Sequence, residues 1–477
     1  MPHLYGIRER TYYMKHFSIL LYLVSCCLMV TSFNSNATSK EQLNALINAS
    51  NKENTAYDVV SSLTLEVGPR IAGSQGDKRA VVWAENTFKE LGFDKVYKQP
   101  VRVRNWSRGL SEAYIQTPYQ QKLVVTALGG SVATPEGGLT AQVIMFDSLD
   151  DLRQASAEQV AGKIVFINKK MQRHKAGKGY GPVVSGRSQG AIEAAKLNAL
   201  AVIIRSVGTS SARFAHTGAM KYSPDIPKIP AGAISNPDAD TLAAIIVKGH
   251  NVTLALDMQA KEHGWQTSYN VIGEITGTES PEEIVLIAAH LDSWDEGTGA
   301  LDDGAGVGIV MGAAHQIKKH LGNSKRTIRV ILYANEEFGL IGAKQYVRDN
   351  RDDLKNIIVA AESDFGAGRI YRLDTRFAES ALPFAKNLAT ALAPLNVELG
   401  NNAATGGPDI SMLPKLGVPV VSLRQDGTHY FDYHHTPNDT LDKIEPATIL
   451  QNQTVYAVFT YLMANSEVDP RPAPALN

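Results

Sequence analysis

Two textures of apolar and polar positions divide the chain. From Tyr269 onward, short apolar runs alternate with longer stretches of helical period. Ile284 to Ala289, Thr327 to Ala334, Ile357 to Ser363 and Val418 to Leu423 read as strands. Asp303 to His320, Ile341 to Asn350, Phe377 to Ala393 and Pro446 to Asn465 read as helices. Continuous apolar strands alternating with helices predict an α/β fold, a mixed and mainly parallel sheet with helices on both faces. Upstream, Lys40 to Leu65 reads as helical. A turn-rich Gly68–Ser74 follows, and then an amphipathic helix from Asp77 to Leu91 that Gly92 ends. Between about 105 and 259 the texture differs. Short β-rich runs such as Gln142–Phe146 and Lys163–Ile167 alternate with Gly, Asp and Ser turns, around one helix at Arg187–Leu197. This stretch reads as a β-rich unit inserted into the larger one. The expected segments are a leader over 1–37, the larger unit over 38–104 and 260–477, and the insert over 105–259.

The leader is expected from Arg8, Arg10 and Lys15, followed by the apolar run Phe17–Val30 and small residues at Ser35 and Ala37. The run is short for a bilayer span. Such a chain is secreted or periplasmic once processed. Leu23-Val24-Ser25-Cys26 also resembles a bacterial lipobox, which would make Cys26 a lipid anchor instead. Either way no membrane span is expected in the mature chain. Cys26 and Cys27 are the only cysteines in 477 residues, so a thiol nucleophile or Cys-ligated zinc has no residue to use downstream. The 47 basic and 48 acidic residues give a net charge of -1, which disfavours a nucleic-acid partner.

The chemistry gathers where the strands end, the edge at which open α/β sheets form sites. One strand runs into His290-Leu291-Asp292-Ser293, and a Gly-rich loop brings Asp302-Asp303. The next strand ends in Glu336-Glu337, the next in Asp364, and Tyr433-His434-His435 comes later. Singly, each has a plainer role: a turn, a helix N-terminal charge or a core hydrogen bond. Gly304-x-Gly306-x-Gly308 is a poor dinucleotide fingerprint, because two carboxylates stand before it. Together the set is what a two-metal hydrolase needs. Two divalent ions need a carboxylate between them, terminal N/O ligands, and a free carboxylate to move the proton of an activated water. Imidazole with carboxylate suits zinc, and also cobalt or manganese. Glu336 and Glu337 can divide the work, one on metal and one on the proton. Asp292 can accept a hydrogen bond from the far ring nitrogen of His290.

These motifs resemble the M28 family of co-catalytic zinc peptidases. Those carrying the likeness are His290-x-Asp292-Ser293, Gly299-Ala300-x-Asp302-Asp303-Gly304-x-Gly306, Glu336-Glu337-x-Gly339, Asp364 and Tyr433-His434, with Asn270–Gly273 and Gly68-Pro69-Arg70 as landmarks. The resemblance implies a zinc exopeptidase fold, two zinc ions, and an insert similar to a protease-associated domain. It implies that His290 and Asp364 hold one ion, Glu337 and His434 the other, that Asp302 bridges, and that Glu336 is the general base. Counting from Tyr433 selects His434; counting back from Thr436 selects His435. A family branch with the same doublet uses the first, so His434 is the expected ligand. The implied activity is hydrolysis of dipeptides or short peptides, by an aminopeptidase, dipeptidase or carboxypeptidase, in a homodimer. Two other readings of the scaffold are a glutaminyl cyclase-like enzyme, which uses a single zinc, and a receptor that has lost its ligands. The complete ligand set speaks against both.

Overall fold

The computed structural model describes residues 41–475. The leader and Cys26 lie outside them. The expected α/β architecture is present, with helices against two mixed sheets of eight strands each.

The first sheet has the order Lys95–Ser107, Lys261–Ile275, Arg326–Tyr333, Ser280–His290, Ile357–Glu362, Val420–Gln425, Ile370–Arg376, Glu398–Leu399. Its four central strands, from Arg326–Tyr333 to Val420–Gln425, are parallel. The flanking strands Lys261–Ile275 and Ile370–Arg376 run antiparallel to them. Side chains of Ser280–His290 alternate between two cores. Val285, Ile287 and Ala289 enter one, and Ile284, Leu286 and Ala288 the other. A strand buried on both faces must be apolar throughout, which is why it reads as an unbroken run. Helices Thr55–Ser62, Ala305–Leu321 and Pro446–Asn465 pack together over the first core. Gly306 and Gly308 serve that packing. A Cβ on Gly306 would lie 2.0 Å from the Ser363 carbonyl oxygen, and one on Gly308 2.4 Å from that of Ala56.

The sequence pattern overran or missed several elements. Lys40–Leu65 is not one helix: helical residues 41–50 are followed by a turn, and Asn54 then caps Thr55–Ser62 by accepting from the Tyr57 N–H at 3.3 Å. The strand Lys95–Ser107 carries four Lys and Arg residues, which hid it.

The second sheet is formed by strands between Ser111 and Met258. Four of them, Leu139–Phe146, Ile164–Ile167, Ala201–Arg205 and Ala231–Ile234, are parallel. Helix Gly181–Lys196 lies between the second and third of them in the chain, and helix Asn236–Val247 follows the last. This region is therefore more α/β than its turn-rich sequence suggests. Gly186 and Gly190 interrupt the apolar period of the first helix, so only its second half was legible. Ile164 and Phe166 face a core of their own, whereas Val165 and Ile167 join the core of the first sheet.

Candidate metal centre

Parallel neighbours in the first sheet deliver most of the ligand-type residues to one edge. His290 is the last residue of its strand, and its backbone N–H donates to Asp303 Oδ2 at 3.1 Å. Its ring is fully buried among three partners. Nδ1 lies 3.0 Å from the Asp292 carbonyl oxygen, and Nε2 lies 3.2 Å from Asp302 Oδ1 and 3.6 Å from Asp364 Oδ1. A proton on Nδ1, donated to that carbonyl, leaves the Nε2 lone pair facing the two carboxylates.

Asp292 was expected to orient His290 through its carboxylate. Its Oδ1 stands 3.6 Å from Nδ1, farther than its own carbonyl. The carboxylate instead accepts the Glu336 N–H at 3.0 Å and the Glu337 N–H at 3.4 Å. It thereby fixes the backbone that carries the two glutamates. Burial, with Asp364 and Glu337 beside it, pushes the Glu336 carboxyl well above the usual carboxylate range.

Asp302 stands between two histidine sites. Oδ1 faces His290, while Oδ2 lies 3.1 Å from His435 Nε2 and 3.5 Å from His434 Nε2. The His435 Nε2 is also 3.1 Å from Glu337 Oε2. Of the doublet, His435 is thus the one that touches both other residues of this half. The His434 ring stacks on it at 3.5 Å between centroids and is enclosed by Tyr180, Tyr430 and Phe431. Burial and the neighbouring His435 charge push His434 well down. Burial alone would lower His435 too, yet Glu337 and Asp302 overcome it and push the ring up to about 9.

Among the described residues, ligand-type atoms gather within 4.8 Å of one another in two groups, His290–Asp302–Asp364 and Asp302–His434–His435. They share Asp302. Asp302 Oδ2 and Glu337 Oε1 are buried without an aligned hydrogen bond. A buried site that draws a proton onto His435 and leaves carboxylate oxygens unsatisfied is short of positive charge, and divalent cations with N/O preference fit it.

Other residues had no role assigned from sequence. Arg70 is fully buried and donates to the carbonyls of Leu291, Thr298 and Gly299, tying the loops on either side of the site. Asp439 accepts the Leu301 and Asp302 N–H groups at 2.6 and 3.2 Å. The region of the second sheet also reaches the centre. His216 Nδ1 lies 2.8 Å from the His434 carbonyl oxygen, and the Thr217 N–H donates to that of His435 at 2.9 Å. Arg173 pairs with Asp432 at 2.5 Å. Nothing in the local sequence around 216 signals such contacts, because the partners are 218 residues apart.

Four likenesses to known proteins bear on this geometry. A family model for Peptidase family M28 matches residues 270–460. Carboxypeptidase Q of Mus musculus is 36% identical over 421 residues, 88% of this chain and 88% of that protein. The crystal structure of a peptidase M28 precursor from Shewanella amazonensis SB2B is 53% identical, with a TM-score of 0.90 over 92% of this chain and 99% of that one. A zinc aminopeptidase from Bacillus subtilis, 22% identical with a TM-score of 0.63, shares the fold.

Proposed function

The chain belongs to peptidase family M28 and is a metallopeptidase, and from that premise we propose a dizinc exopeptidase that hydrolyses dipeptides or short peptides. The observation that carries the count of two ions is the pair of ligand groups sharing Asp302. His290 and Asp364 would hold one ion, Glu337 and His435 the other, and Asp302 would be shared by both. We assign His435 in place of the expected His434, on its 3.1 Å contacts to Asp302 and Glu337. The imidazole and carboxylate donors suit zinc. When bound, such ions would supply Lewis-acid polarisation of the peptide carbonyl and would acidify a water towards neutral pH.

The protein's own residues do the rest. Glu336 receives the proton and passes it to the leaving amine. Asp292 holds Glu336 by its backbone N–H and so orients the residue without engaging its carboxyl group. Asp303 anchors the His290 backbone and Asp439 that of Asp302. The unit carrying the second sheet, read as a protease-associated insert, supports the histidine doublet.

Replacing Glu336 by Gln tests this reading. Two metals per chain should remain, by elemental analysis, and turnover of a dipeptide should fall by about 10²–10⁴-fold. Loss of metal, or turnover that stays near the wild-type value, would sink the assignment of Glu336 as the base.

A further inference from the structure

Arg187 lies on helix Gly181–Lys196, in the region of the second sheet, yet its guanidinium reaches the metal centre. The residue is 7% exposed. Five other arginines are equally buried, and each donates to a carboxylate or to two or more carbonyls. Arg70 holds three carbonyls, Arg108 pairs with Asp295, Arg205 with Asp240 and Arg326 with Glu283, and Arg376 holds the Ala404 and Ala475 carbonyls. Arg187 has no carboxylate partner among the described residues. Its Nη2 donates to the Tyr180 hydroxyl at 2.5 Å, and its Nε has no partner.

Nη1 lies 3.4 Å from His435 Nδ1, which also lies 3.3 Å from the Thr217 carbonyl oxygen. If the His435 Nε2 lone pair faces Asp302 and Glu337, the ring proton is on Nδ1 and goes to Thr217. Nη1 then has no acceptor there. One hydrogen bond for five N–H donors is far from what a buried guanidinium requires. The place for the group is nevertheless built. Gly218 has φ +135°, and a Cβ there would lie 2.3 Å from Nη1. A tether for Tyr180 alone would explain one of the five donors.

We infer that Arg187 anchors a carboxylate of the substrate. The inference rests on the peptide-hydrolase reading above and adds which peptides are taken. The guanidinium is one imidazole ring away from Asp302 and Glu337. A carboxylate held there belongs to the residue just beyond the cleaved bond, since one residue spans about 3.8 Å. That residue offers two such groups, its free α-carboxylate or an acidic side chain. Bidentate pairing with a planar carboxylate is what arginine does best.

The test uses the zinc-loaded full chain with alanyl-leucine, its C-terminal amide, and the α-amide of alanyl-glutamate. Charge-assisted hydrogen bonds in a buried site are worth about one to two powers of ten in affinity. The wild type should therefore favour the free acid over the leucine amide by about 10–100-fold in kcat/KM, mainly through KM. In Arg187→Met that ratio should collapse towards one. Recovery by the glutamate amide assigns the side-chain carboxylate as the anchored group, and no recovery assigns the α-carboxylate. Equal cleavage of the free acid, the leucine amide and the glutamate α-amide by the metal-loaded wild type overturns the inference, and so does an equal loss on every substrate in the variant. Absence of all hydrolysis by the wild type would instead remove the peptidase reading beneath it. Should Arg187→Met not fold, the wild-type ratio alone still decides, and Arg187→Lys, which keeps charge without the fork, should lower it.

Discussion

The two groups of ligand-type side chains share Asp302 and differ in what holds them. In the His290–Asp364 half, both residues end or follow adjacent parallel strands, Ser280–His290 and Ile357–Glu362. Their supports, Asp292 and Asp303, come from within 13 residues of His290. In the other half, Glu337 follows a strand of the same sheet, but the histidine doublet arrives on a loop about 100 residues later. His435 takes φ +61°, and the backbone of the doublet is hooked by His216 and Thr217 from the region of the second sheet. The first half is assembled by sheet topology. The second also needs two distant regions of the chain to dock. The region of the second sheet therefore helps to position one side of the site.

Asp302 is the point at which the comparison must fail together. Substituting Asp302→Asn removes the charge that both halves share, and the remaining donors cannot screen two cations. Metal content should fall in both positions, and dipeptide turnover should drop to background. A variant that keeps two tightly bound metals would break the account of Asp302 as the shared ligand.

The same contrast explains what could be read from the chain. The strand-end residues His290, Glu336, Glu337 and Asp364 were legible because each follows an unbroken apolar run, and a doubly buried strand leaves that signature. Asp302 was legible through its Gly-rich loop. The choice within His434-His435 was not. Adjacent residues point in directions set by local backbone torsions, and the αL conformation of His435 depends on contacts to Thr217 made across 218 residues. The helix Gly181–Lys196 was half hidden by its glycines, and with it the site-facing role of Arg187. Asp292 was seen, but its carboxylate turned out to hold the Glu336–Glu337 backbone.

The doublet itself separates the two halves next. His435→Ala should lose the metal held with Glu337 and most of the activity, while His434→Ala should keep most of its metal. His434→Ala loses aromatic packing with Tyr180, Tyr430 and Phe431, the stacking on His435 and a contact of 3.5 Å to Asp302. Stepwise chelator competition distinguishes the two ions. Metal loss confined to the His434 variant would return the assignment to the first histidine.

The smallest effect, and the most specific to the docking argument, is expected at His216. Its ring is fully buried, and Nδ1 donates to the His434 carbonyl at 2.8 Å. Its Nε2 has no partner, so the backbone contact is what the side chain contributes. Leucine at this position keeps apolar volume and leaves the carbonyl unsatisfied, a loss of about 1–3 kcal/mol in stability. Partners one step removed from a metal typically change its affinity by about 10–100-fold. His216→Leu should therefore weaken one of the two stepwise metal affinities by up to about that factor and leave the other within about twofold. Asparagine places an amide N–H near the Nδ1 position, so His216→Asn should restore much of the loss. If both affinities fall together, or neither moves while the protein stays folded, the second region does not support one half selectively.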